Sequence, residues 1–312
     1  MLRSLIASFL LCVLSVFIAV EAQAQDYSSL QRSFDVGRLT HDDKRFLQTA
    51  LAFEGNYSGL LDGDWGKLSR SAMADFSREE FGGRTEEWHM VALALNFFDR
   101  YEREGWQIEY MPALGISILV PQKSLIVDPP SKKFVNWRHS GSSLAYSVGV
   151  FGRSASERLY EYTLNRHALA DEPYIVRKPN LAVSTSTDLD GVFLYTRSDF
   201  VNGAWTTVML SAHRSEKATL TAVAASISPR REPPITFTRG GALDFAIETA
   251  IALATEEDDT SPPVKADTDE RRTDDTGGAG TGFIVSECQR RSKNRPRGGA
   301  KAGHFLARLS PP

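Results

Sequence analysis

Apolar residues recur every three or four positions through the first third of the chain, a spacing typical of helices that bury one face. The pattern predicts three helices, over residues 42–53, 67–79 and 85–101. Thr40 precedes the first of these helices and is expected to be its N-cap. We expect Phe46, Trp65 and Phe76 to form a small core between the helices. Leu68 is expected on the buried face of the second helix.

After residue 105 the pattern changes to short β-rich runs separated by turns. It predicts strands over residues 107–110, 115–120, 124–127, 144–149, 175–178, 192–197, 205–211 and 219–226. One helix, over residues 155–169, interrupts the strands, and a last helix is predicted over 241–254. Because few of these elements form β-α-β units, the order indicates an α+β fold with a mainly antiparallel sheet.

The N-terminus carries the features of a secretory signal. Arg3 precedes an apolar run over residues 5–20, and Ala22-Gln23-Ala24 follows as a small-residue cleavage sequence. We therefore predict a cleaved signal over residues 1–24, a periplasmic or secreted protein, and no integral membrane span after cleavage. An uncleaved membrane anchor is the alternative.

The composition changes again near the C-terminus. Acidic residues, Thr and Pro dominate after residue 254, which predicts a disordered linker over residues 255–277. The chain is then divided into a helical domain over residues 25–104, an α+β domain over 105–254 and a basic disordered tail within 278–312.

Overall charge and cysteine content narrow the possible partners. The chain has 312 residues and a formal net charge of -3, which gives no reason to expect nucleic acid as a partner. Cys12 lies in the predicted signal, so its removal leaves Cys288 without a second cysteine for an intramolecular disulfide.

A glycine-rich loop joins the first two predicted helices, and we call residues 55–66 the glycine loop. Its pattern, with the flanking helices, comprises Leu47-Gln48, Ala50-Leu51, Gly55-Asn56-Tyr57-Ser58-Gly59, Asp62-Gly63-Asp64-Trp65-Gly66, Ser69, Ala72 and Phe76. This stretch resembles the peptidoglycan-binding domain of bacterial cell-wall proteins. It departs from the family pattern at Ser69, where Thr is usual, and at Ser77, where Gln is usual.

The resemblance implies a three-helix module that binds peptidoglycan or a cell-wall peptide. The residues expected to contact the ligand are Tyr57, Asp62, Gly63 and Trp65. For Tyr57 and Trp65, structural packing inside the loop is the alternative.

No pattern for catalysis, metal binding or a cofactor is found. His139, His167 and His213 are scattered and do not have the spacing of metal ligands, so neither a metal nor a cofactor is expected. Asp188 and Asp190 stand beside Gly191 and are expected to form a turn.

Residues 278–286, Gly-Ala-Gly-Thr-Gly-Phe-Ile-Val-Ser, resemble the opening strand of trypsin-like serine peptidase domains. The basic residues that follow do not continue that pattern. Three interpretations remain open: a peptidase whose reading frame was lost after Ser286, a natural basic tail that binds anionic surfaces, and a chance match. Each of them leaves the chain without a Ser-His-Asp triad, so no catalytic residue is expected.

These observations favour an exported cell-envelope protein that binds peptidoglycan and performs no catalysis of its own. The alternative is a truncated secreted serine peptidase with a wall-binding segment. A ligand site in the α+β domain is a third possibility.

Overall fold

The computed structural model describes residues 28–131, 133–170 and 172–259, with side chains up to residue 254. The predicted signal, the peptidase-like segment and the basic tail lie outside the described residues, and so does the predicted linker from residue 260 onward. The chain divides into one compact unit that extends to Ile247 and a second that begins at Glu248.

The fold is α+β with mainly antiparallel sheets, as predicted. The helices are α1 (His41–Glu54), α2 (Lys67–Phe81), α3 (Glu87–Glu104), α4 (Arg153–Asn165), α5 (Lys217–Ser226) and α6 (Ala242–Asp259). The strands are β1 (Trp106–Met111), β2 (Ile116–Pro121), β3 (Leu125–Ser131), β4 (Phe134–His139), β5 (Ala145–Phe151), β6 (Ile175–Lys178), β7 (Leu181–Thr187), β8 (Val192–Val201) and β9 (Ala204–His213). In the described residues, no helix is long and apolar enough to cross a membrane.

Local sequence explains where α1 begins. The Thr40 side chain accepts a hydrogen bond from the backbone N–H of Asp43, and the Asp43 carboxylate accepts one from the backbone N–H of Thr40. This reciprocal pair is a capping box, which satisfies two backbone donors that a helix N-terminus leaves free. The predicted N-cap is therefore confirmed.

The core of the helical part lies between α1, α3 and α5. Phe46 of α1 and Phe76 of α2 are both buried, as predicted. The ring of Phe46 contacts that of Phe97 edge-on, with 5.2 Å between the ring centroids. The prediction for Leu68 was wrong, because 66% of its surface is exposed. Leu68 lies in the first turn of α2, whose buried residues are Ser69, Ala72, Met73, Phe76 and Ser77.

The β part consists of a hairpin and a larger sheet, both antiparallel. Strands β1 and β2 form the hairpin, and the seven-stranded sheet has the order β3-β4-β5-β9-β8-β7-β6. The two longest strands, β8 and β9, meet at Asn202 and Gly203, whose φ angles are 50° and 81°. A two-residue turn of this kind requires positive φ at both positions, which Asn and Gly tolerate best.

The predicted strand over residues 219–226 was wrong, since this segment lies within helix α5. Helix α5 packs against α1, β2 and β9 and is buried on most of its surface, including Leu220, Ala222 and Val223. A helix that is apolar all round has no amphipathic period, so its apolar run resembles a buried strand. Two strands, β4 and β7, were not predicted.

The last helix extends further than predicted. It begins at Ala242 and continues to Asp259, so the first five residues assigned to the acidic linker are helical. Within the first unit, the buried residues of this helix are Leu243, Asp244 and Ala246.

A coil segment connects α5 to α6 by passing over the start of α1, and we call residues 232–241 the strap. The backbone N–H of Thr238 donates to Asp43 Oδ1 at 2.9 Å, and the hydroxyls of Thr238 and Thr40 lie 2.6 Å apart. Phe237 contacts the ring of Phe46 edge-on at 5.2 Å. Residues late in the chain therefore complete the surroundings of α1.

Ser77 occupies a fully buried position on α2, and its hydroxyl has no hydrogen-bond partner in the described part of the chain. We expect Ser77→Ala to raise the free energy of unfolding by about 1 kcal/mol, because a buried hydroxyl without a partner loses its hydration and gains nothing in return. Urea denaturation measures the change. The exposed Ser71→Ala is the matched control and should stay within about 0.5 kcal/mol of the wild type. A destabilised Ser77→Ala protein would contradict the prediction.

His89 is a buried residue in the first turn of α3 and should make the fold sensitive to acid. Its Nδ1 accepts a hydrogen bond from the backbone N–H of Glu86 at 3.2 Å, and its ring stacks on Phe81. Burial lowers the pKa of His89 to about 4. As the pH falls below about 6.5, the unfolded chain binds the proton first, so stability is lost between about pH 6.5 and pH 4.

We expect His89→Gln to remove this loss, because the glutamine oxygen can accept the same hydrogen bond but does not titrate. The free energy of unfolding of the wild type, relative to the variant, should fall by about 3 kcal/mol between pH 7 and pH 4. Urea denaturation at several pH values gives this difference. A difference that does not change with pH would show that His89 is not responsible.

Candidate functional site

Gln48 holds the glycine loop in place from within α1. Its side chain is fully buried, and its Oε1 accepts a hydrogen bond from the backbone N–H of Gly63 at 2.8 Å. Its Nε2 lies 3.0 Å from the carbonyl oxygen of Asp64 and 3.1 Å from Ser69 Oγ. Two further acceptors, Tyr57 Oη and Asp62 Oδ1, lie at 3.3 and 3.4 Å. One amide group therefore joins both halves of the loop to the start of α2.

This role of Gln48 was not predicted from the sequence. The available signal was the pair of polar residues Gln48 and Thr49 inside an apolar run over residues 46–51. A buried amide must satisfy its donors and acceptor, and an adjacent loop with free backbone groups provides the partners.

Tyr57 supports the loop from inside. Only 5% of its surface is exposed, and its hydroxyl donates to the carbonyl oxygen of Leu60 at 2.8 Å. Burial raises the pKa of this hydroxyl. The ring also packs so closely against Gly59 that a Cβ there would lie 2.5 Å from Tyr57 Oη. Tyr57 thus offers little surface to a ligand, which agrees with the alternative in which it packs inside the loop.

Gly63 is also part of the scaffold. Its φ angle is 76°, a conformation that side chains rarely adopt, and a Cβ there would lie 2.7 Å from the ring of His41. Its N–H is the group that Gln48 binds. Gly63 therefore determines the path of the loop, and the side chain on its outer side is His41, which is 63% exposed.

Asp62 and Trp65 are the predicted residues that reach the surface. Asp62 is exposed, and one of its oxygens accepts the backbone N–H of Asp64 at 3.0 Å. Trp65 is half-buried, and its ring centroid lies 5.9 Å from that of Phe34 with the planes inclined by 52°. Trp65 Nε1 is buried and has no hydrogen-bond partner among the described residues.

Phe34 is a site residue that sequence analysis missed. It lies in the polar segment before α1, where no periodic pattern assigns it to a helix or strand. The backbone N–H of Phe34 donates to the carbonyl oxygen of Thr85 at 3.1 Å, which fixes this segment beside the start of α3. The contact between Phe34 and Trp65 is therefore made by tertiary structure alone.

The outer surface of the glycine loop combines an aromatic pair with polar groups. Trp65 and Phe34 present partly exposed ring surface, and Asp62 and His41 provide a carboxylate and an imidazole. Such a surface can stack on a sugar ring or an apolar peptide group while the polar groups form hydrogen bonds. Of the four predicted ligand residues, two are thus at the surface and two support it.

Other candidate groups have structural roles. Asp188 Oδ1 accepts the backbone N–H groups of Asp190 and Val192, which confirms the predicted turn. A hydrogen bond from Arg166 lowers the pKa of Asp188. His139 is buried beside the ring of Trp106, at a centroid distance of 5.6 Å. Within residues 28–131, 133–170 and 172–254, no three acidic, histidine or cysteine side chains converge as metal ligands.

The glycine loop is therefore the site in the described chain where sequence pattern and surface geometry coincide. No protein-family model matches this chain, and none of the curated proteins compared with it is similar in sequence.

Proposed function

We propose that this protein is an exported component of the bacterial cell envelope that binds peptidoglycan, or the peptide of the cell wall, through the glycine loop. It performs no catalysis of its own in this role. The observation that carries the proposal is the partly exposed aromatic pair of Trp65 and Phe34, together with the exposed Asp62, on a loop that Gln48 joins to α1 by hydrogen bonds.

Physical chemistry supports a wall ligand in two ways. A loop whose backbone is fixed in advance loses little conformational entropy on binding, so a small contact surface suffices for measurable affinity. Peptidoglycan offers both sugar rings and short peptides, and an aromatic pair beside a carboxylate suits either component. The resemblance of the loop to peptidoglycan-binding domains and the predicted secretory signal agree with this ligand and with a periplasmic or secreted location.

Trp65→Ala tests the proposal, with the mature full chain and purified cell-wall sacculi in a sedimentation assay. We expect the wild type to sediment with the sacculi and the variant to bind about tenfold more weakly, because one stacked ring contributes roughly 1–2 kcal/mol. Asp62→Ala should weaken binding as well.

Phe200→Ala is the matched control, since Phe200 is an exposed aromatic residue on β8 in the seven-stranded sheet. It should bind like the wild type. Near-UV circular dichroism checks that each variant remains folded. A wild type that stays in the supernatant, or a folded Trp65→Ala protein with unchanged binding, would refute the proposal.

A further inference from the structure

Arg45 connects the glycine loop to the strap. It lies on α1 with 4% of its surface exposed. Its Nε donates to the carbonyl oxygen of Leu61 in the loop at 3.0 Å. Its Nη1 donates to the carbonyl oxygens of Pro233 at 2.9 Å and Pro234 at 3.2 Å in the strap. One side chain thus bridges two segments that are separated by about 170 residues in sequence order.

The chemistry of this bridge makes the two segments depend on each other. The three hydrogen bonds that Arg45 donates all end on backbone carbonyl oxygens. Burial lowers the pKa of Arg45, and Glu232 and Asp42 oppose that shift through longer-range attraction. A buried guanidinium that loses most of its acceptors is strongly unfavourable, so release of the strap would turn the Arg45 side chain towards water and away from the Leu61 carbonyl oxygen.

The strap itself is held mainly by side chains of its surroundings. Its first residue, Glu232, donates its backbone N–H to Ser117 Oγ on β2 at 3.0 Å. Thr238 and Phe237 contact the N-terminal half of α1, through Asp43 and Phe46. Residues 232–238 belong to neither a helix nor a strand. A segment without a backbone ladder of its own opens more easily than the elements that it covers.

We propose that the strap regulates the glycine loop, and that Arg45 couples the two. When the strap packs against α1, its carbonyl oxygens orient the Arg45 side chain, which then donates a hydrogen bond to the Leu61 carbonyl oxygen. When the strap leaves α1, the glycine loop loses this hydrogen bond and becomes mobile. Binding at the loop and seating of the strap therefore stabilise each other reciprocally. The regulatory meaning of this coupling rests on the proposed wall-binding function, whereas the coupling itself does not.

The strap is also the segment that leads into α6, which continues to Asp259. The effect of a force or a partner that acts on the chain after the strap would therefore be transmitted to the strap along the backbone. Through Arg45, the same event would change the order of the glycine loop.

Hydrogen–deuterium exchange on the full mature chain tests the coupling without any ligand. The variant is Phe237→Ala, which removes a strap contact with Phe46 of α1 and leaves the residues of the glycine loop themselves unaltered. We expect exchange to rise at least about fivefold in the strap and, with it, in peptides that cover residues 60–64. Thr238→Val is a milder second variant, in case Phe237→Ala unfolds the protein. Phe200→Ala, at an exposed position on β8, should leave both segments unchanged.

Arg45→Lys identifies the bridge, because an ammonium group cannot reproduce the forked geometry of the guanidinium. In an Arg45→Lys background, Phe237→Ala should speed up hydrogen–deuterium exchange in the strap but cause no further increase of exchange in the glycine loop. Faster exchange of the strap alone in the Phe237→Ala protein, with an unchanged loop, would overturn the proposal. If exchange is coupled but the wild type does not bind sacculi, the coupling stands and the proposed function fails.

Discussion

Gln48→Ala is expected to lower the free energy of unfolding by about 3–5 kcal/mol. The substitution removes the acceptor of the Gly63 N–H, which is a buried backbone donor, and the amide that faces Asp64 and Ser69. It also leaves a cavity at a position with no exposed surface. Urea denaturation followed by circular dichroism measures the loss, and we expect the same variant to lose binding to sacculi.

Gln122→Ala is the matched control for this experiment. Gln122 is exposed and its side-chain amide donates to the exposed Glu109, so its loss should change stability by less than about 0.5 kcal/mol. Gln48→Glu should also be destabilised, because a carboxylate would face the Asp64 carbonyl oxygen without a proton to donate. A Gln48→Ala protein as stable as the Gln122→Ala protein would show that the loop is not held by this side chain.

Asp199→Ala should cost a similar amount, about 3–5 kcal/mol, for an electrostatic reason. Arg197 and Asp199 lie two residues apart on β8 and are both nearly buried. Arg197 Nε donates to Asp199 Oδ2 at 2.7 Å, and Arg197 Nη2 donates to Asp199 Oδ1 at 3.0 Å. Removal of the carboxylate leaves a buried guanidinium without its bidentate partner. Urea denaturation measures the loss.

The double variant Arg197→Met with Asp199→Leu separates this effect from simple packing loss. Since neither charge remains buried, the double variant should be within about 1–2 kcal/mol of the wild type. Glu161→Ala breaks the exposed ion pair with Arg177 and serves as the control, with an expected change below about 1 kcal/mol. An Asp199→Ala protein that is more stable than the double variant would contradict the argument.

The fold class could be predicted because the signals that carry it are local. Thr40 and Asp43 determine the start of α1 within four residues of chain, and the spacing of Phe46 and Ala50 indicates its buried face. The predicted strand over residues 175–178 agrees with β6 to the residue. Patterns of this kind depend on neighbours in sequence, which a single chain displays directly.

Helix α5 shows where local patterns stop being informative. Its apolar residues follow one another because the segment is surrounded by α1, β2 and β9, and not because it forms a strand. The choice between helix and strand for such a run depends on what surrounds it. Phe34 illustrates the same limit, since its contact with Trp65 joins residues that no periodicity relates.

The sequence by itself determined the α+β class and the cap of α1, because backbone conformation and local patterning determine these features, and it indicated the glycine loop as a candidate site. Only the tertiary structure decided which loop residues face outward: Gln48 draws Tyr57 and Gly63 inside and leaves Asp62 and Trp65 at the surface. It also placed the strap beside Arg45. The physical reason is that burial and hydrogen-bond partners depend on segments distant in sequence, so they exist only once the chain is folded.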